Sequence, residues 1–287
     1  MLATASGIER AEILLDLSRR ATYRNSCEEA LALAEEARDD LIKAGAAESL
    51  MVKAYTAESY ALASLNRKFE AANVLGQVVE ISRKNEDPFI DDHLRMQAMW
   101  YSDMKDWEAA LKCQMEAIVV NEIDGDTQWL ARSLFLAAGC YHNMKKYTLA
   151  IDYYKRARML YKSDKNVNEV GACDIWIGDS YAELGNGELA LTYGNQALDI
   201  SRLIKRTPWV VLSLIVIGKA QSLLADFDRA ECTLEEAHSL LVEDAPNQWD
   251  LIIEIQEELI NIYRQTNRFG YADEAEARIA TIREILE

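Results

Sequence analysis

The chain has 287 residues, half of them hydrophobic, and a formal net charge of -17 at pH 7. A field of that sign repels phosphate backbones and anionic headgroups, so it disfavours nucleic acid and membrane surfaces as main partners. The longest apolar run, 209–217, is far too short to span a bilayer, and residues 1–12 lack the apolar core of a signal peptide. We therefore expect a soluble, cytoplasmic protein.

Apolar residues recur at steps of three and four along nearly the whole chain, which is typical of amphipathic helices. The pattern predicts one repeat domain over 1–287, built from seven helix-turn-helix units at 8–49, 50–88, 89–128, 129–168, 169–206, 207–247 and 248–287. An alanine opens the second helix of each unit, at Ala30, Ala72, Ala110, Ala150, Ala190, Ala230 and Ala272. Self-similarity at a fixed period of this size indicates a repeat array whose core grows by stacking.

Boundary signals agree with these units. Ser26, followed three residues later by a glutamate, predicts a capping box, and 124–127 predicts a turn with a helix cap. Gly185 and Gly187 flank an asparagine between two helices, which favours a tight turn over a phosphate loop. Thr207 is predicted to cap the sixth unit. The prolines fall between units, at Pro88, Pro208 and Pro246.

The last predicted helix carries its apolar residues on one face, at Ala272, Ala275, Ile279, Ile282 and Leu286. Repeat arrays need a polar terminal surface. This helix either caps the array by itself or meets a second subunit, which would give a homodimer through the terminal repeats.

Five cysteines lie within predicted helices and are interpreted as small buried thiols. No pair has the spacing of a zinc site, and no serine-histidine-aspartate set or phosphate loop is present. The sequence therefore predicts no cofactor, no metal and no enzymatic activity.

The fourth unit places small and aromatic residues at fixed positions: Ala138, Tyr141, Tyr147, Ala150 and Ala157. The third does the same with Ala98, Tyr101, Trp107, Ala110 and Ala117. This pattern resembles the tetratricopeptide repeat, although Thr56, Asp174 and Gln256 stand where a large apolar residue is usual. The resemblance implies an all-α, right-handed solenoid (superhelix) of antiparallel helix pairs, with the first helix of each pair on the concave face.

Helical geometry then selects the positions that point into the concave groove. Together with neighbours on the same rim, the candidates for partner binding are Arg95, Met99, Arg132, Phe135, His142, Asn143, Trp176, Asp179, Leu212, Ile215 and Lys219. Cations beside aromatic rings in an acidic protein indicate an extended peptide with acidic groups and apolar anchors. The alternative is ordinary ion pairing with neighbours such as Asp92 and Asp179.

The helix over 209–217 is apolar all round, so we expect Leu212 and Ile215 to remain partly exposed, with burial under a tightly wound array as the alternative. Asn143 is a candidate for hydrogen bonding to a ligand backbone. His142 fits a plain polar residue better than a metal ligand.

These observations predict a non-catalytic scaffold or adaptor that holds an extended or helical segment of a protein or peptide partner in its groove. Two alternatives remain open. One is a regulatory receptor for a short signalling peptide, since some bacterial sensors resemble this array. The other is a structural or oligomerising subunit that uses its ends and convex face. The fold alone does not decide between them.

Overall fold

The computed structural model describes residues 7–87, 89–244 and 247–286. Over these residues the chain forms fourteen α-helices and no β-strand, which confirms the all-α repeat fold. Pro88 and Pro246 lie outside the described residues. The helices are α1 Gly7–Tyr23, α2 Cys27–Lys43, α3 Glu48–Ser64, α4 Lys68–Lys84, α5 Ile90–Asp103, α6 Trp107–Asp124, α7 Thr127–Asn143, α8 Tyr147–Ser163, α9 Val167–Glu183, α10 Gly187–Leu203, α11 Thr207–Leu223, α12 Phe227–Asp244, α13 Trp249–Gln265 and α14 Phe269–Leu286. None of these helices has both the length and the apolar character needed to cross a bilayer.

The repeat register is confirmed by burial. All seven alanines that open the second helix of a predicted unit are buried, and so are the seven residues one helical heptad further on. An alanine at these places allows the paired helix to approach closely, since no bulk separates the two backbones. The small residues therefore set the spacing on which every later feature depends.

The sequence predicts four turn or cap signals, and the structure confirms two of them, at 124–127 and at Gly185. Gly125 has φ 72°, and Asp126 caps α7 by accepting hydrogen bonds from the backbone amides of Gln128 and Trp129. Gly185 has φ 74° in a turn between α9 and α10. Ser26 stands at the N-cap of α2 without making the cap hydrogen bond, and Arg206, not Thr207, occupies the N-cap of α11.

The chain divides into two compact units, Met1–Met144 and Lys145–Glu287, which we call unit 1 and unit 2. Unit 1 contains α1 to α7, and unit 2 contains α8 to α14. Each unit packs every helix on its neighbours in sequence. A single continuous domain over 1–287 stays a prediction.

The first helices of the pairs in unit 1 differ in how closely they approach. Helices α1 and α3 pack directly together, whereas α3 and α5, and α5 and α7, approach less closely. Large side chains separate them: the ring of Tyr60 meets the ring of Trp100 edge-on, with 6.1 Å between centroids. These two rings fill the space between α3 and α5.

In unit 2 the first helices α9, α11 and α13 pack directly against one another. As a result Ile215 is only 1% exposed, and Leu212 is half-buried against Ile175 and Val216. The expectation that Ile215 stays partly exposed is wrong, because α11 is covered by α9, α10, α12 and α13 together. The apolar circumference of α11 is explained by packing on all sides.

Helix α14 buries one stripe, formed by Ala272, Ala275, Ile279 and Ile282. The remaining described residues of the helix are exposed, and most are polar or small. Leu286, predicted on the packed face, is exposed. This one-sided pattern favours a helix that caps its own unit, and the homodimer stays a prediction.

Candidate functional site: a groove in unit 1

A large concave surface in unit 1 is a cavity of about 1290 Å³ along α3, α5 and α7. A second cavity of about 970 Å³ extends along α1 and α3. The two share five lining residues: Val52, Lys53, Thr56, Tyr60 and His93. We call the two cavities together the unit 1 groove. Its walls come mainly from the first helix of each pair.

Helix α5 forms the floor of the larger cavity. The two sequence candidates on this helix, Arg95 and Met99, both line it, together with Asp92 and Ser102 on the same face. Met99 is exposed, and Met96 adds a second thioether on the same face. Methionine is flexible and polarisable, so these side chains can adapt to apolar groups of different shape.

Arg95 is held from three sides. Its guanidinium pairs with Asp91 at 3.0 Å and with Asp92, and its Cζ lies 3.9 Å from the centroid of the Trp129 ring. Burial lowers the pKa of Arg95, and Asp91 opposes that shift. For Arg95 the structure therefore shows the ion-pairing alternative, and the side chain fixes Trp129 in the wall of the groove.

Helix α7 forms the wall opposite α3. The Asp126 cap starts this helix, with the amide of Trp129 donating to Oδ1 at 3.0 Å. Trp129, Arg132, Leu136 and Cys140 then line the cavity. They follow the helical period along the side of α7 that faces α5.

Three sequence candidates on α7 do not line this cavity. Phe135 and His142 are half-buried elsewhere, and Asn143 donates from Nδ2 to the carbonyl oxygen of Gly139 at 2.8 Å. They point away because α7 is a side wall of the cavity, so the face toward α5 lines it. Leu136 occupies the apolar place that the sequence assigned to Phe135.

Two cations of the larger cavity have no ion pair. Lys53 on α3 and Arg132 on α7 are exposed, and neither has a carboxylate partner among the described residues. The charge of Arg132 is felt by Arg95, whose pKa it helps to lower. In a chain of net charge -17, cations left unpaired in a groove favour an acidic ligand.

The groove also contains polar atoms that lack a partner. The hydroxyl oxygen of Thr56 and the amide oxygen Oε1 of Gln114 are buried without a hydrogen bond inside the described part of the chain. Gln114 as a whole is only 3% exposed, yet it lines the larger cavity. A buried amide oxygen without a donor costs free energy, which makes Gln114 an unusual residue beside the cavity.

Sequence signals for these two residues existed. Thr56 departs from the apolar residue usual at its repeat position. Gln114 stands four residues after the buried alanine of its unit, where other units place Ala34, Tyr154 and Leu234. A polar residue at a repeat position that is usually apolar and buried thus marks a candidate binding site. The sequence does not show which neighbouring helix such a side chain faces.

His93 lies where the two cavities meet. Its Nδ1 is 2.9 Å from the hydroxyl oxygen of Ser82, which is fully buried. Burial lowers the pKa of His93, while Asp87 and Asp91 oppose the shift. The imidazole is therefore kept neutral in the groove at physiological pH.

The candidates in unit 2 are engaged within that unit. Nζ of Lys219 lies 3.0 Å from Asp179 and 2.7 Å from Glu254, and the two carboxylates raise the pKa of Lys219 in spite of its burial. Trp176 is half-buried on α9. For Lys219, as for Arg95, the structure shows the ion-pairing alternative.

Comparisons with known proteins agree with this architecture. A tetratricopeptide-repeat family model matches residues 92–163 and 172–241. The curated proteins give no significant match. At sequence identities under 20%, the structural likenesses that follow show the fold alone.

Three solved structures share this fold. A Rap protein complexed with Competence and Sporulation Factor is 19% identical, with a TM-score of 0.66 over 96% of this chain and 77% of its own. The apo form of RapI is 14% identical, with a TM-score of 0.74 over 96% and 97%. A signal transduction ATPase with numerous domains and a tetratricopeptide repeat sensor, from Pyrococcus horikoshii, is 18% identical, with a TM-score of 0.75 over 88% and 38%.

Proposed function

We propose that this chain, which belongs to the tetratricopeptide-repeat family, is a non-catalytic binding protein that holds a peptide segment of a partner in the unit 1 groove. One observation carries the proposal. The larger cavity combines exposed apolar side chains, Met99 and Trp129, with an exposed and unpaired cation, Arg132. Apolar anchors beside a charged side chain are the usual composition of a peptide-binding surface.

The shape of the groove supports a peptide over a small metabolite. Its two connected cavities run across four first helices, α1, α3, α5 and α7, which is longer than the pocket of a drug-sized ligand requires.

A second candidate function is a peptide-sensing regulatory receptor. The structural comparisons favour it, because one protein of this fold was crystallised with Competence and Sporulation Factor and another carries its repeats as a sensor. Both functions use the same groove. They differ in whether the ligand changes the conformation, and ligand-dependent compaction in small-angle X-ray scattering would favour the receptor. The adaptor role and a cytoplasmic location stay predictions.

The test is selection from a displayed library of random twelve-residue peptides. Wild-type protein should enrich peptides that bind it in solution, and the Met99→Glu/Arg132→Glu variant should lose them. Lys112→Glu is the matched control, since Lys112 is exposed on α6 of the same unit and does not line the groove. No enriched peptide, or peptides that bind the groove variant equally well, would contradict the proposal.

A further inference from the structure

Most charged groups that line the larger cavity are already neutralised. Arg95 pairs with Asp91 and Asp92, and Asp103 pairs with Lys68 at 3.1 Å. Among the cations that line this cavity, only Lys53 and Arg132 are left without a carboxylate in the described part of unit 1. Any charge selection by the cavity therefore rests on these two side chains.

The remaining carboxylate of the cavity, Asp87, is turned to its own loop. Its Oδ1 accepts a hydrogen bond from the backbone amide of Phe89 at 2.9 Å, and its Oδ2 lies 3.3 Å from the hydroxyl oxygen of Ser82. Asp87 also faces His93, and its negative charge opposes the lowering of the His93 pKa by burial. Asp87 is thus held at the edge of the cavity and does not pair with Lys53 or Arg132.

The two unpaired cations stand on helices separated by one neighbour. Directly packed helices lie about 8–10 Å apart, and α3, α5 and α7 approach one another less closely than that, so the backbones that carry Lys53 and Arg132 are at least about 20 Å apart. An extended peptide advances about 3.3 Å per residue, so about six residues cover this span. Side chains alternate between the two sides of an extended strand, so two acidic residues of the peptide that are six positions apart lie on the same side.

The surface between the two cations is apolar. Met96 and Met99 on α5 line the cavity there, and Trp129 stands at the α7 side. A ligand that reaches both cations must cross these side chains. Its central residues would therefore bury apolar groups, which contributes affinity without charge.

We infer that the groove selects a peptide with two acidic side chains about six residues apart, separated by apolar residues, with one carboxylate on Lys53 and the other on Arg132. The inference rests on the proposed function and adds to it the chemistry and the spacing of the ligand. Because both cations are exposed at the ends of one cavity, each should act on its own end of the peptide.

The experiment uses fluorescein-labelled octapeptides with blocked ends and a Met/Leu centre, measured by fluorescence anisotropy. One peptide has Glu at positions 1 and 7, one has Glu at 1 and 3, and one has Gln at 1 and 7. The first should bind wild type about fivefold more tightly than the second and about twenty-fivefold more tightly than the third, at about fivefold for each exposed charge pair. Lys53→Gln and Arg132→Gln should each cost about fivefold for the first peptide, and Lys112→Gln should cost nothing.

Charge reversal gives an independent readout. Arg132→Glu should reject the doubly acidic peptide and should recover binding when Lys replaces Glu at one end of it. Lys53→Glu should do the same with Lys at the opposite end. Recovery at opposite ends also establishes the direction of the peptide, which a change in folding could not imitate.

Two failures are distinguishable. If library peptides bind wild type and lose affinity in Met99→Glu, but the octapeptides ignore the number or spacing of their acidic residues, the inference is overturned and the proposed function stands. If neither the library nor the octapeptides yield a ligand of the groove, both are overturned.

Discussion

The guanidinium of Arg95 lies over the indole of Trp129, with 3.9 Å from Cζ to the ring centroid, while its nitrogens pair with Asp91 and Asp92. This relationship joins α5 to α7 in the lining of the larger cavity of the unit 1 groove. The two carboxylates neutralise the charge of Arg95, and the stacked ring of Trp129 forms part of the cavity wall. Arg95 is therefore a positioning residue for Trp129, and Arg132 is the cation that remains available to a ligand.

Replacing the ring tests this relationship. Trp129→Ala should lower the free energy of unfolding by about 1 kcal/mol, because a cation–π contact at a partly exposed site is lost. Peptides selected on wild type should bind this variant more weakly, since one wall of the groove is missing. Trp129→Phe, which keeps an aromatic face, should retain most of both properties. Urea unfolding followed by circular dichroism gives the first quantity, and an unchanged value in Trp129→Ala would show that the contact adds nothing.

The neutral imidazole of His93 predicts a pH dependence of stability. Burial places its pKa in the folded state below the ordinary value of 6.5, so protonation favours the unfolded chain. The stabilising contribution is fully present above the unfolded pKa and is lost as the pH falls through the folded pKa. Wild type should therefore lose more unfolding free energy than His93→Gln between pH 7 and pH 5.5.

The difference between the two proteins is the relevant measurement. His238, whose pKa is also lowered by burial, and the buried carboxylates titrate in both proteins and cancel. Glutamine keeps a group that can hydrogen-bond to Ser82, so packing is nearly conserved. Parallel curves for the two proteins over this range would contradict a buried, neutral His93.

The period of the chain could be predicted because it depends on local patterns. An alanine such as Ala150 is buried wherever its own hairpin closes, and this can be read from neighbours within one unit. The groove face of α5 follows from the same helical geometry, and Arg95 and Met99 both line the cavity. These features need no knowledge of distant parts of the chain.

Other features depend on contacts that a period does not specify. Ile215 is covered because α9 and α13 both pack on α11, and nothing within α11 reports how closely they approach. Leu136 lines the cavity and Phe135 does not. This depends on where α7 lies relative to α5, which the sequence of α7 does not specify. The ion-pair partner of Asp174 is Arg158, which lies sixteen residues away on another helix. The sequence marks such residues as unusual without identifying what they contact.

The cysteines give a prediction of chemical reactivity. Burial raises the pKa of the Cys113 and Cys140 thiols to about 11, and Cys173 is buried with a raised pKa as well. At pH 8 only about one in a thousand of the first two is a thiolate, so they should react slowly. Cys232 is exposed, against the prediction of a buried thiol, and should give the fast phase with a disulfide reagent such as Ellman's.

The control is Cys232→Ser, which should abolish the fast phase. Cys27 is half-buried, also against the prediction of a buried thiol, and should then react next, before the three buried thiols react on unfolding. Cys140 lines the larger cavity but is only 3% exposed. Rapid modification of Cys140 in the folded protein would show that the cavity opens more widely than the structure describes.

A buried ion pair joins α8 to α9 in unit 2. Nε of Arg158 donates to Oδ1 of Asp174 at 2.5 Å and Nη2 donates to Oδ2 at 3.1 Å, and Asp174 is fully buried. Arg158→Met should cost about 3 kcal/mol, because it leaves a buried carboxylate without its partner. The double variant Arg158→Met/Asp174→Leu should recover most of that loss, since Leu restores the apolar residue usual at this repeat position.

Urea unfolding of wild type, both single variants and the double variant completes a thermodynamic cycle. Additive losses would mean that the two side chains are not coupled and would contradict the pair. The pair Arg38–Glu58 in unit 1, with both distances 2.7 Å, is the corresponding contact between α2 and α3 and should give the same pattern. Agreement between the two cycles would establish a recurring device at the junction of repeats.

Two glycines within helices predict opposite effects of the same substitution. A Cβ on Gly178 would lie 2.8 Å from Cγ1 of Val216 and 3.3 Å from the backbone nitrogen of Gly194, whereas a Cβ on Gly270 would meet nothing within 4 Å. Gly→Ala gains about 1 kcal/mol of helix propensity in a helix interior, but overpacking costs about 1–3 kcal/mol. Gly178→Ala should therefore lower the melting temperature, because neither a stiff valine nor a backbone atom can move aside cheaply. Gly270→Ala should raise the melting temperature slightly, because it adds about 0.5 kcal/mol to the free energy of unfolding. A stabilised Gly178→Ala variant would mean that α9, α10 and α11 pack less closely than the structure shows, and the burial of Ile215 would then need the same revision.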